Sequence, residues 1–215
     1  MDTVVSVNKL NDVYAVIDSN EFFALKELVE YFTFKVPGAE FMPSYKNKYW
    51  DGKIRLFNPM NCKLYLGLVS QLKFFCEKND YEIVYDEDLK DQEFTPKDLE
   101  SLAKYINPHS QGAPISYRDY QLDAIYHAIK KNRTLLLSPT ASGKSLIIYT
   151  LVRFYNMHPE VKNKKILIIV PTTSLVAQMY GDFKDYGWNV EKYCHKIFAG
   201  QDKHSDKKVI ISTWQ

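Results

Sequence analysis

The residues Ser138-Pro139-Thr140-Ala141-Ser142-Gly143-Lys144-Ser145 bring a pliable backbone, a cation and several hydroxyls into one short stretch. That combination suits a polyphosphate. In the P-loop pattern GxxxxGK[ST], loop amides and the first amides of the following helix surround phosphate oxygens, because those N–H groups have no intrahelical partner and sit at the positive end of the helix dipole. Lys144 would reach the outer phosphates, and the Ser145 hydroxyl would sit on magnesium. Ser138 stands where the first glycine of the general pattern belongs, while Gly143, Lys144 and Ser145 are intact. A plain turn is the competing reading of Gly-Lys-Ser alone.

A second stretch, Pro43 to Arg55, interleaves Lys46, Lys48, Lys53 and Arg55 with Tyr45, Tyr49 and Trp50, without a helical apolar period. Cations of this kind neutralise phosphates, and aromatic rings stack on exposed bases or wedge at a junction. The same residues also read as a hairpin, with Asp51-Gly52 as its tight turn, Ile54 and Leu56 in one strand and Trp50 in the core. The two readings are compatible: a hairpin can present Lys46, Lys48, Lys53 and Arg55 on its wet face above a buried Trp50.

Elements elsewhere in the chain must hold these stretches in place. Leu135 to Leu137 predicts a buried strand feeding the phosphate loop, and Leu146 to Phe154 a helix leaving it. Lys165 to Val170 is a near-continuous apolar run, as a parallel strand buried on both faces would be. Val209 to Ile211 makes a further strand. Toward the N-terminus, Val4 to Val7 and Val13 to Ile17 predict paired strands, and Glu21 to Phe32 an amphipathic helix with Ser19 able to cap it. Leu64 to Leu66 and Tyr81 to Tyr85 predict strands, with a helix over Leu68 to Glu77 between them. Thr95 and Pro96 mark a helix start, cap and first position, for a helix to Ile106. Asp86-Glu87-Asp88 follows an apolar strand as an acidic magnesium site would, but it lies on the wrong side of the loop in chain order and reads as a solvated linker. The organisation predicted is a small α+β domain over residues 1–88, a helical linker over 89–114 and an α/β domain over 115–215.

The 215 residues are 46% hydrophobic and 25% charged, which is ordinary globular composition. A formal charge of +2 is too small to argue for nucleic acid except through local clustering. The 16 Tyr and 12 Phe belong mostly to cores. Cys62, Cys76 and Cys194 are odd in number and far apart, so neither zinc nor a disulfide framework is indicated and a reducing compartment fits best. Met1-Asp2-Thr3 does not open a signal peptide, and no apolar run approaches the roughly 18 residues of a membrane span. A soluble, cytoplasmic protein is expected, in the host cytoplasm if it is phage-encoded.

Four segments occur in an order that resembles the superfamily 2 helicases. Tyr117-Arg118-Asp119-Tyr120-Gln121 is similar to their Q-motif, and Ser138 to Ser145 to their motif I, in which Pro-Thr follows a first position that is often not glycine. Pro171 to Gln178 resembles motif Ia, and Ser212-Thr213-Trp214-Gln215 motif Ib. The resemblance covers residues 117–215 and implies a RecA-like domain with a parallel sheet. It implies that Gln121 contacts adenine and Arg118 flanks the base or ribose, with Pro139, Thr140, Ala141, Ser142, Gly143, Lys144 and Ser145 holding ATP and magnesium. It implies that Thr172, Ser174 and Thr213 touch the tracked strand. A narrower likeness spans nearly the whole chain: Trp50 to Leu56, the small domain before the motor and the Ser-Thr-Trp-Gln ending are similar to UvsW-type branched-DNA helicases of tailed bacteriophages. That likeness implies an ATP-dependent helicase that unwinds or remodels branched DNA in recombination, repair or replication, with duplex or branched DNA and a single strand as partners.

No Asp-Glu pair follows the loop before Gln215. The family's motif II and second RecA-like domain are therefore expected downstream, and these residues alone are not expected to hydrolyse ATP. Two alternatives stand beside this reading: the motor subunit of a restriction-type enzyme, and a truncated, non-catalytic DNA-binding fragment.

Overall fold

A computed structural model of the chain describes residues 2–86, 89, 92–161, 163–198, 200 and 202–214. The contacts separate two units, Met1–Lys90 and Asp91–Gln215.

In the first unit, strands β1 (Val4–Lys9) and β2 (Tyr14–Ser19) form an antiparallel hairpin. The Asn11 carboxamide oxygen shapes its turn by accepting from the amides of Val13 and Tyr14 at 2.8 and 2.9 Å. Alternation sends Val5, Val7, Ala15 and Ile17 to one face, where helices α1 (Phe22–Tyr31) and α3 (Val69–Lys78) supply Leu28, Leu72, Phe75 and Cys76 to the same apolar cluster. Ser19 does not act as the side-chain cap of α1; its hydroxyl donates to the Val4 carbonyl and accepts from the Glu21 amide, and Glu21 itself holds the cap position.

Between those helices lie β3 (Thr33–Lys35), a short helix α2 (Pro43–Lys46), β4 (Lys53–Arg55), β5 (Phe57–Asn58) and β6 (Lys63–Tyr65), and β7 (Glu82–Tyr85) follows α3. The main sheet runs β5-β6-β2-β1-β7, with β7 parallel to β1 and the other pairs antiparallel.

The expected tight hairpin at Asp51-Gly52 is replaced by a wider device. β4 pairs with β3, and the residues between them make an excursion containing α2. Gly52 has φ of 74°, and a Cβ there would come within 3.0 Å of Ala39 and of the Tyr45 ring, so the excursion folds tightly back on its own base. Leu56 lies outside β4, its amide bonded to the Phe32 carbonyl at 2.9 Å.

The second unit opens with α4 (Pro96–Ile106), whose Thr95 and Asp98 form a reciprocal capping box. Leu102 and Ile106 of α4 enter the unit's apolar core, so part of the segment read as a linker is packed structure. After the small hairpin β8 (His109–Ser110) and β9 (Ala113–Pro114) come α5 (Asp119–Lys131), α6 (Lys144–Met157), β10 (Ile166–Val170), α7 (Thr173–Asp185), α8 (Val190–Tyr193), β11 (Cys194–Ile197) and β12 (Val209–Thr213). The three-stranded sheet β10-β12-β11 is wholly parallel, the arrangement that needs helical crossovers.

Two expectations fail here for one reason. Leu135 to Leu137 form no strand, and Leu135 and Leu137 are 82% and 89% exposed. β10 is covered on only one face: Ile168 and Val170 are buried, whereas Leu167 and Ile169 are 60% and 58% exposed. An apolar run becomes a buried parallel strand only when neighbouring strands pair with it and a second layer covers it. Within the described residues β10 pairs with β12 and β12 with β11, and residues 135–137 have no place in that ladder. Glu87, Asp88 and Gln215, which belong to the predicted acidic linker and to the last of the four motifs, lie outside the described residues.

Candidate nucleotide and nucleic-acid sites

The phosphate loop ends in Gly143, whose φ of 79° places it in the left-handed region just before α6 begins at Lys144. Ala141 shares that region at φ 63°, a conformation that costs an L-residue roughly 1–2 kcal/mol and is held here by its surroundings.

Those surroundings converge on Ser142. The Gln121 amide nitrogen donates to the Ser142 carbonyl at 3.0 Å, and the Tyr120 hydroxyl donates to the same oxygen at 2.9 Å. The Arg118 guanidinium donates in turn to the Tyr120 oxygen at 2.9 Å. Gln121 is 4% exposed, and its carboxamide oxygen accepts from the Arg118 amide at 3.0 Å, which helps close the first turn of α5. Ser138 and Ser142 join their hydroxyls at 2.5 Å, so the residue occupying the pattern's glycine position clasps the loop from inside. The Lys144 ammonium donates to the carbonyls of Ser138 and Pro139 at 3.2 and 2.5 Å.

The structure thus gathers Arg118, Gln121, Ser138, Pro139, Ser142, Gly143 and Lys144 around one turn of backbone. Gln121 faces the loop itself, a placement that the resemblance to the Q-motif does not convey. Tyr120 has no signal in the sequence beyond its place beside Gln121. Thr140 is exposed in the same loop, and Ser145 lies in the first turn of α6, where its amide is among those without an intrahelical partner. The loop fits a nucleotide phosphate tail by its backbone, its lysine and the helix start, and Ser145 offers the hydroxyl a divalent cation would take.

Thr172 caps α7, accepting from the Leu175 amide at 3.3 Å, and its hydroxyl lies 2.9 Å from that of Ser174. The register pairs Val170 with Thr213, so Thr213 ends its strand beside the one that leads into Thr172. These hydroxyls gather at the carboxyl edge of the parallel sheet, where open α/β folds place ligands.

In the first unit, Lys46, Lys48 and Trp50 line a concavity of about 600 Å³ with Glu40, Tyr45, Tyr49 and Asp51. Trp50 is half-buried rather than set in the core, and its indole N–H donates to the Lys53 carbonyl at 2.9 Å. Tyr49 is 87% exposed. Lys53 and Arg55 stand on β4. Arg55 forks onto the Asp51 carboxylate, and this charge-assisted bond holds the Asp51 carboxyl below the usual aspartate range. Arg55 is therefore a partly neutralised cation, a partnership the spacing of Asp51 and Arg55 does not announce in a segment without helical period.

A parallel α/β unit with a glycine-lysine-serine loop opening a helix, and a glutamine locked against that loop, is an α/β domain of the P-loop pattern. Residues 118–214 match the DEAD/DEAH box helicase family, and residues 4–86 match the family described as DNA helicase UvsW, N-terminal. The chain is 37% identical over 194 residues to the ATP-dependent DNA helicase uvsW of Enterobacteria phage T4, across 88% of this chain and 38% of that protein's length. Two crystal structures of UvsW from bacteriophage T4 superpose on all of this chain with a TM-score of 0.85 at 34% identity, and the chain spans 75% and 43% of theirs. The chain belongs to the UvsW-type helicases of superfamily 2 and carries the N-terminal family together with a DEAD/DEAH-type domain. Among the described residues, no helix is long and apolar enough to cross a membrane.

Proposed function

We propose that this chain is the nucleotide-binding and DNA-binding part of an ATP-dependent helicase that unwinds or remodels branched DNA. The observation that carries the reading is the convergence of Tyr120 and Gln121 on the Ser142 carbonyl, with Arg118 bonded to both, which ties the segment read as the adenine contact to the segment read as the phosphate contact. Bound ATP with magnesium would supply the anhydride whose cleavage drives strand separation. Lys144 offsets phosphate charge, the amides opening α6 hold phosphate oxygens, and the Ser145 hydroxyl takes the cation. Gln121 orients the loop and reads the base edge, and Arg118 lies along the base or ribose. Thr172, Ser174 and Thr213 give hydroxyl contacts to the phosphates of a tracked strand, while Lys46, Lys48, Trp50, Lys53 and Arg55 hold DNA on the first unit.

The test is a pair of variants in the intact protein. Lys144→Ala is expected to abolish ATP hydrolysis while duplex binding persists. Replacing Lys48 and Lys53 with Ala is expected to leave nucleotide binding intact and to flatten the log–log salt dependence of DNA affinity by about 0.9 per lost phosphate contact. Equal loss of both activities in Lys144→Ala, or an unchanged salt slope in the lysine variant, overturns the assignment.

A further inference from the structure

The β3–β4 ribbon has two unlike faces, and both are open. In its register Thr33 faces Arg55, Phe34 faces Ile54, and Lys35 faces Lys53. Side chains directly opposite share a face and alternate along the strand, so Lys35, Lys53 and Arg55 lie on one side and Phe34 and Ile54 on the other. The Val36 amide donates to the Gly52 carbonyl at 2.8 Å and the Leu56 amide to the Phe32 carbonyl at 2.9 Å. Hydrogen-bonded pairs therefore fall at Phe34–Ile54 and its neighbours two residues away, and Lys35–Lys53 is a non-hydrogen-bonded pair, with Cα atoms about 4.5 Å apart. Two ammonium groups placed opposite one another at this spacing repel and destabilise the ribbon unless an anion lies against them. On the reverse side, Phe34 and Ile54 remain 51% and 49% exposed. The ribbon is nonetheless well fixed: the Trp50 indole bonds to the Lys53 carbonyl and Gly52 packs against Ala39 and Tyr45.

We propose that this ribbon reads the branch itself: Lys35 and Lys53 hold the phosphates of one duplex arm, while Phe34 and Ile54 stack on the bare terminal base pair of the arm beside it. The inference rests on the DNA-binding reading above and narrows its substrate to DNA with an interrupted stack. The chemistry of the two faces selects that ligand. A continuous duplex offers closely spaced phosphates but hides every base-pair face in its own stack, so it satisfies only the lysine side. A fork or junction presents dense negative charge and a flat apolar surface within one ribbon's width. Stacking on a base is sequence-tolerant, because every base has a π-face.

The experiment measures the affinity of the chain for a three-way branched DNA and for a continuous duplex of the same nucleotide count, with 2-aminopurine at the branch reporting local stacking. The native chain is expected to prefer the branch by roughly tenfold, the scale of one base–aromatic contact. The double variant Phe34→Ser, Ile54→Ser should lose that preference and the 2-aminopurine response, while its affinity for continuous duplex stays within twofold. Phe34→Tyr with Ile54→Val, which retains the ring and an apolar face, should keep the preference and shows that folding is not at issue. Retention of branch preference in the serine variant, or equal weakening on both DNAs, overturns the proposal. The variant Lys35→Gln, Lys53→Gln separates the two levels. Unchanged duplex affinity and salt slope there would defeat the DNA-binding reading, whereas a weakened duplex complex with the branch preference lost as well would defeat the stacking assignment alone, because the preference would then belong to the lysines.

Discussion

At the scale of single residues, the loop is governed by one carbonyl. Ser142 accepts from Gln121 and from Tyr120, and it does so beside Ala141 at φ 63°. Removing the Tyr120 hydroxyl while keeping the ring should loosen the loop before nucleotide arrives and leave the chemical step alone. A net hydrogen bond contributes about 1 kcal/mol, so Tyr120→Phe is expected to raise KM for ATP about fivefold in the intact protein, with kcat within twofold. Steady-state kinetics checks this, and a fall in kcat at unchanged KM would place Tyr120 in the reaction itself. The turn at Gly143 and the helix start at Lys144 were legible from residue type and order. The bond from Gln121 to Ser142 was not, because it joins positions on two elements and follows from how α5 lies against the loop.

At the scale of elements, local chemistry and the β1–β2 hairpin were readable, whereas pairing between strands distant in the chain was not. Thr95, Pro96 and Asp98 carry the whole of their helix start within four residues of chain, and α4 begins where they indicate. Because α4 sends Leu102 and Ile106 into the second core, Thr95→Ala should lower the stability of that unit by about 1 kcal/mol, the usual value of a lost cap. Chemical denaturation followed by a probe in the second unit checks the figure; no change would mean that tertiary packing alone holds the first turn. By contrast, β3 is three residues long and finds its partner β4 across the excursion containing α2, so no period within it announces a strand. Leu135 to Leu137 erred in the opposite direction. Their apolarity describes a wish to be buried, and a run of sequence cannot say which strand will lie alongside it.

Across the whole molecule, two separate apolar clusters each enclose a cysteine. Burial pushes the Cys76 thiol up to about 11 and the Cys194 thiol up to about 12, so at neutral pH both are almost wholly protonated and meet an alkylating reagent only when their own cluster opens. Leu72 shares the first cluster with Cys76. Leu72→Ala should weaken that cluster by about 2–5 kcal/mol and speed labelling of Cys76 far more than that of Cys194, as peptide-resolved alkylation can read. Equal acceleration would mean that the two clusters open together. The close approach of Gly143 to Gln121 has a consequence for how such a chain can change over generations. A Cβ at position 143 would lie 2.4 Å from the Gln121 amide nitrogen, and φ there already favours glycine. The space of a missing side chain is filled by a side chain from another element, so the glycine cannot change while the glutamine stays. A lineage that altered the glycine would first have to surrender the glutamine, and the helix holding Gln121 and the loop holding Gly143 are inherited as one part.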